Sequence, residues 1–182
     1  MPVTAESLAA GQAYQQTLLA ALGADDPAVA QAETSANLRR LIADAGADLR
    51  TRPEPAEWSV VELIGHMTDA ELASSARYRW ILAEDEPDLM PYDQDRWANR
   101  FHSTEESLEP LLSVFDALRA ANLRLWAASS VGDRARVGQH LERGPESYEL
   151  TFRLLAGHDR VHIAQARAGL ARIRARGSEA EA

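Results

Sequence analysis

The sequence predicts an all-α chain: a four-helix bundle with a long crossover and an extra N-terminal helix. Three observations carry this expectation. Four long segments of similar length repeat their apolar residues with the 3.6-residue period of a helix. Alternation with period 2, the mark of a half-buried strand, is not sustained anywhere. Helix-start signals and Gly or Pro breaks fall between the periodic segments, so each has a physical beginning and end.

Taken in order, TAESLAAGQAYQQTLLAALG (4–23) reads as a first helix stopped by Gly23. DDPAVAQAETSANLRRLIADAGADLR (25–50) follows, with Asp26 as the N-cap and Pro27 at the first helical position. The segment TRPEPAEW, with two prolines, breaks the chain. Ser59 and Glu62 have capping-box spacing and open a helix to about Ala83. An irregular crossover, EDEPDLMPYDQDRWANRFH, comes next. Ser103 and Glu106 repeat the box ahead of a helix to about Ser130, on the order of 40 Å long. Pro110 marks either a kink in that helix or its true, later start. After VGDRARVGQHLERGPES the last helix is expected from Tyr148 to about Arg174, with Gly177 beyond it. One domain, 1–176, with a polar tail, 177–182, is the expected organisation, as 182 residues suit a single core.

Composition excludes several chemistries. Cysteine is absent, which removes disulfides, thiolate ligands and a cysteine nucleophile. All 19 basic residues are arginine, so Schiff-base chemistry and a phosphate-loop lysine are unavailable. A net charge of −9 opposes general binding to nucleic acid or an anionic membrane. With neither a signal-peptide pattern nor a membrane-length apolar run, a cytoplasmic location is expected.

Two of the five histidines, His158 and His162, stand four apart inside the apolar stripe of the last helix. They project from one face on successive turns, about 6 Å apart along the axis. A pair at this spacing can hold one metal ion, or can be two satisfied core side chains. His66 lies on the Leu63–His66–Ala70 line of another helix and also points inward. Three buried imidazoles need partners that apolar stripes do not supply, and a divalent cation would satisfy all three. Three neutral ligands with an open position is the pattern of a catalytic zinc site.

The run EWSVVELIGHMTDAE, then PYDQDRW, then HLERGPESYELTFRLLAGHDRVHIAQ resembles the DinB/YfiT-like superfamily of bacterial four-helix-bundle proteins. The pattern Trp-Ser-x-x-Glu-x-x-x-His followed by His-Asp-x-x-His carries the likeness, which covers about Ala30 to Ala171. The resemblance implies His66, His158 and His162 as metal ligands, with zinc or nickel as the divalent ion, and a homodimer. It also implies a small-molecule substrate, and either transferase or isomerase chemistry with a low-molecular-weight thiol or hydrolysis. The alternative is a non-catalytic bundle that binds a metal or a small ligand.

Other residues are open to two readings. Asp159, next to His158, is a candidate general base or a helix-packing residue behind the site. His140 stands at the expected mouth of the pocket, or is merely solvated; His102 is expected at the surface. Tyr92 and Trp97 can wall a substrate cleft with Asp93 or Asp95 orienting a ligand histidine, or Trp97 can plug the bundle while the aspartates cap a short helix. Arg160 belongs to a solvated stripe with Arg167 and Arg174, or binds an anionic substrate group. The cleft is expected between the 85–102 crossover and the 131–147 loop, since loops on a rigid scaffold commonly supply substrate contacts.

Overall fold

Each helix begins or ends on chemistry visible in the chain. The computed structural model describes residues 5–180; residues 1–4 and the last two of the polar tail lie outside the described residues. Helix α1 (Ala5–Leu22) stops at Gly23, whose φ of 63° suits a residue without Cβ. Helix α2 (Pro27–Ala45) is capped by Asp26, whose carboxylate accepts from the N–H groups of Ala28 (2.7 Å) and Val29 (3.3 Å). It ends earlier than the periodicity predicted, because Gly46 turns the chain at φ 54° into a 3-10 segment, Gly46–Arg50.

Helix α3 (Val60–Ala83) starts with the complete Ser59/Glu62 capping box. The crossover holds a two-residue strand, β1 (Asp88–Leu89), and a short helix, α4 (Gln94–Phe101), capped by Asp93. Helix α5 (Leu108–Ala128) begins later than the Ser103/Glu106 spacing predicted. Pro110 lies in its first turn, where no N–H is needed, and the Glu106 carboxylate is instead taken by His102. The loop before the last helix contains α6 (Val131–Ala135), β2 (Val137–His140) and β3 (Gly144–Ser147). β1 pairs parallel with β2, and β2 antiparallel with β3. Strands of two to four residues are too short for periodicity to reveal, so the expectation of no strand holds for the bundle and fails at its end. Helix α7 (Tyr148–Ala180) runs through Gly177, past the expected end at Arg174.

Helices α2, α3, α5 and α7 form the four-helix bundle, and α1 lies along α7 on its outside. Gly157 permits that approach: a Cβ there would stand 2.0 Å from the carbonyl oxygen of Leu18. The core has two apolar parts. One gathers Leu38, Leu63, Ile64, Phe115 and Leu170; the other gathers Tyr78, Ile81, Trp126, Tyr148 and Phe152. Between them, α3, α5 and α7 place buried polar residues, including His66, Glu71, Arg119, Asn122, His158, Asp159 and His162. No helix among the described residues is long and apolar enough to cross a membrane.

Candidate metal centre

The i,i+4 spacing on α7 and the central turn of α3 bring three imidazoles to one point. Nε2 of His66 lies 3.0 Å from Nε2 of His158 and 3.2 Å from Nε2 of His162. All three rings are buried, at 1%, 8% and 7% exposure in that order, and their nitrogens form a group able to hold a metal ion. Trp58 covers His66 with ring centroids 4.9 Å apart.

A divalent cation fits this donor set. Nitrogens bound tetrahedrally to one zinc at 2.0–2.1 Å stand about 3.3 Å apart, close to the spacings found here. Hydrogen bonding alone explains the cluster less well. Nε2 of His66 can carry only one proton for two close neighbours, and Nδ1 of both His66 and His158 is buried without a partner among the described residues.

Burial pushes the His66 pKa down to about 3, with His162 and His102 adding repulsion. Burial also drives His158 well below the ordinary histidine value, and lowers His162 against the opposing hydrogen bond from Gln165. Neutral rings keep a lone pair for a cation. Gln165 Oε1 lies 2.9 Å from His162 Nδ1, so Nδ1–H donates to the amide oxygen and the lone pair falls on Nε2.

Behind the cluster runs an ion-pair network that ties all four bundle helices. Arg119 on α5 donates to Glu71 on α3 through Nε (3.0 Å) and Nη2 (2.7 Å), and Nη1 meets Asp159 Oδ2 at 2.8 Å. Thr34 on α2 donates to the same Asp159 oxygen at 2.8 Å, and Asn122 donates to Glu71 Oε1 at 2.7 Å. Asp159 thus faces Arg119 and α2. Arg119 and Asn122 went unnoticed in the sequence, although the Leu112–Phe115–Arg119–Asn122–Trp126 stripe is a readable signal of buried polar groups.

A cavity of about 520 Å³ adjoins the histidines, with His158 in its wall. The crossover contributes Tyr92, the loop contributes His140, and α1, which sequence reasoning did not place at the cleft, contributes Tyr14 and Gln15. His140 is 2% exposed, and burial, with Arg143 adding repulsion, lowers its pKa to about 3. Its Nδ1 accepts from the Glu142 N–H at 3.2 Å, which leaves the proton on Nε2.

Two candidate residues stand elsewhere. Trp97 packs at a tilt against Tyr92, with ring centroids 4.5 Å apart, and is not in the cavity wall. Arg160 reaches α1, donating to the carbonyls of Ala21 (3.3 Å) and Leu22 (3.0 Å) and pairing with Asp25 at 2.6 Å. His102 is a correction: it is largely buried between Asp69 (2.8 Å) and Glu106 (2.6 Å), and packs on Gly65. Only a glycine leaves room there, since a Cβ would stand 2.4 Å from the His102 ring.

Comparison with known proteins places this geometry in context. Residues 29–166 match the sequence profile of the DinB superfamily. A Geobacillus thermodenitrificans protein named "Putative metal-dependent hydrolase" is 26% identical over 110 residues, 59% of this chain and 61% of its own. A Bacillus cereus protein of the same name is 25% identical over 107 residues, again 59% and 61%. The chain therefore spans about three fifths of the length of these curated relatives. Among solved structures, YfiT from Bacillus subtilis superposes with a TM-score of 0.71 at 20% identity, covering 94% of this chain and 90% of that one. YfiT is described as "a probable metal-dependent hydrolase with an unusual four-helix bundle topology"; at this identity the likeness shows the fold.

Proposed function

The chain belongs to the DinB superfamily, and from that premise we propose that it is a metal-dependent hydrolase acting on a small ester or amide. One observation carries the proposal: the three Nε2 atoms converge, at 3.0 and 3.2 Å from His66, beside a cavity of small-molecule size. The names of the matched relatives support the reaction class.

In this reading His66, His158 and His162 hold a single divalent ion through Nε2. When bound, the ion supplies Lewis acidity, polarising a carbonyl and making a water more acidic. The protein's own contribution is orientation and electrostatics. Gln165 fixes the His162 tautomer, and the buried setting keeps all three rings neutral near pH 7. His140, with its proton on Nε2 and no partner there among the described residues, offers a neutral donor in the cavity wall. Asp159 acts through position: paired with Arg119 and Thr34, it anchors α7 one residue beyond His158. Tyr92 walls the cavity, Trp97 supports it from behind, and Arg160 clamps α1.

Zinc or nickel is the proposed ion, because all-imidazole coordination suits both and disfavours magnesium and calcium. A homodimer and a cytoplasmic location complete the proposal. Val114, 48% exposed on α5, offers an apolar contact for the dimer, and the lack of a membrane-length helix among the described residues is compatible with the location.

The test is turnover of an ester and amide panel by metal-loaded wild type and His66→Ala. Hydrolysis lost in the variant supports the proposal. Turnover equal in both overturns it, and so does reaction only with a low-molecular-weight thiol, which would establish thiol transfer. Any such thiol comes from outside, since the chain has no cysteine.

A further inference from the structure

Arg77, on α3, is 6% exposed and lines the same cavity as His158. Nη2 donates to the Met90 carbonyl at 2.7 Å, and the guanidinium lies 5.9 Å from the centre of the Tyr92 ring. Nε is buried with no hydrogen-bond partner, and no carboxylate among the described residues lies within ion-pair distance. An arginine stays charged when buried, and a buried charge without a counter-charge is costly.

The neighbouring charges do not supply the missing partner. Glu146 is committed to Arg143, which donates through Nη2 to Oε2 at 3.1 Å, and to Gln15, whose amide donates at 2.6 Å. Asp93 caps α4, and Glu142 is exposed at the mouth. The buried wall therefore keeps an unbalanced positive charge at Arg77. In the same cavity wall, the Nε2–H of His140 is a second buried donor without a partner among the described residues. Two unsatisfied donors, one charged, in the wall of one small cavity make a binding site for an anion brought from outside.

We propose that Arg77 and His140 bind a carboxylate of a small substrate and hold the rest of that molecule against the histidine cluster. A carboxylate suits the pair because its two oxygens can accept separately from Arg77 and His140. Leu154, Leu155 and Tyr14 add apolar surface for a hydrocarbon body to a wall that also carries Gln15, Ser74 and Thr151. Which end reacts rests on the hydrolase reading; binding of the anion does not.

Binding is therefore measured on chelator-treated, metal-free wild type, with phenylacetate, its neutral isostere phenylacetamide and inorganic phosphate as probes. The expected result is phenylacetate binding at least tenfold tighter than phenylacetamide, and at least tenfold weakened in Arg77→Gln, whose fold is checked by thermal denaturation. Equal affinity for the acid and the amide, or no binding of either, overturns the proposal. Equal binding by wild type and folded Arg77→Gln overturns it as well. Phenylacetate binding that needs added metal and ignores Arg77→Gln puts the anion on the ion and also overturns it. Phosphate binding tighter than phenylacetate would refute the carboxylate assignment. If Arg77→Gln does not fold, the ratio of acid to amide on wild type decides. Selective carboxylate binding without turnover of any ester or amide would sink the hydrolase reading and leave this site standing.

Discussion

His66 on α3 and His158 on α7 stand 92 residues apart in sequence and bring their Nε2 atoms within 3.0 Å of each other. No hydrogen-bonding pattern satisfies them together with His162, whose Nε2 lies 3.2 Å from His66. Burial holds the rings neutral, so each can turn a lone pair toward one small volume.

Gln165→Leu tests how that aim is maintained. Without the amide oxygen at 2.9 Å, Nδ1 of His162 no longer fixes the tautomer. Metal affinity, measured by competition with a chromophoric chelator, is expected to fall about 10- to 100-fold with little change in fold. Unchanged affinity would show that the amide contributes nothing to the centre.

Asp159→Ala separates a structural role from a catalytic one. Arg119 would lose one of its two buried carboxylates, and denaturant unfolding should show a loss of about 3 kcal/mol. Asp159→Asn keeps the shape and an acceptor for Thr34, and should retain hydrolytic activity at temperatures where it stays folded. Activity lost in a folded Asp159→Asn, with stability unchanged, would restore the general-base reading.

The metal-free protein should lose stability as pH falls below about 6.5. His66 and His140, pushed to about 3 in the fold, take up protons on unfolding, as do His158 and His162, which are also lowered. The unfolded state then binds more protons, and the expected cost is roughly 2 kcal/mol per fully shifted imidazole at pH 5. His102 has the opposite sign. Burial lowers its pKa, but hydrogen bonds with Asp69 and Glu106 prevail and raise it, so its contribution fades as pH rises through the raised value. Urea denaturation between pH 8 and 5 measures the balance, and a flat profile would contradict it.

Gly157→Ala places a Cβ against the Leu18 carbonyl, beside His158. Helix α1 must shift, at a cost of about 1–3 kcal/mol read from thermal unfolding. Because α1 also walls the cavity, ligand binding should weaken with it. Wild-type stability in this variant would mean that α1 is not held closely on α7.

The bundle was legible because its signals are local. Asp26–Pro27, the Ser59/Glu62 box and Gly23 act within one turn, and the His158/His162 spacing needs only helix geometry. What escaped notice depends on distant neighbours. Glu106 has the spacing of a cap but is drawn to His102, and β1 exists through pairing between the crossover and the loop. Arg77 reads as one more arginine on a helix until the fold buries it without a paired carboxylate among the described residues.

Elemental analysis of untagged protein, wild type against His66→Ala, His158→Ala and His162→Ala, bears most directly on the metal centre. His102→Ala, outside the cluster, serves as the control. The expected result is one divalent ion per chain in wild type and in the control, falling below about a tenth in each of the three variants, since all three imidazoles are needed for a closed set of donors. Stoichiometric metal retained in any one of those variants, or none taken up by wild type supplied with zinc and nickel at neutral pH, would contradict a three-histidine centre.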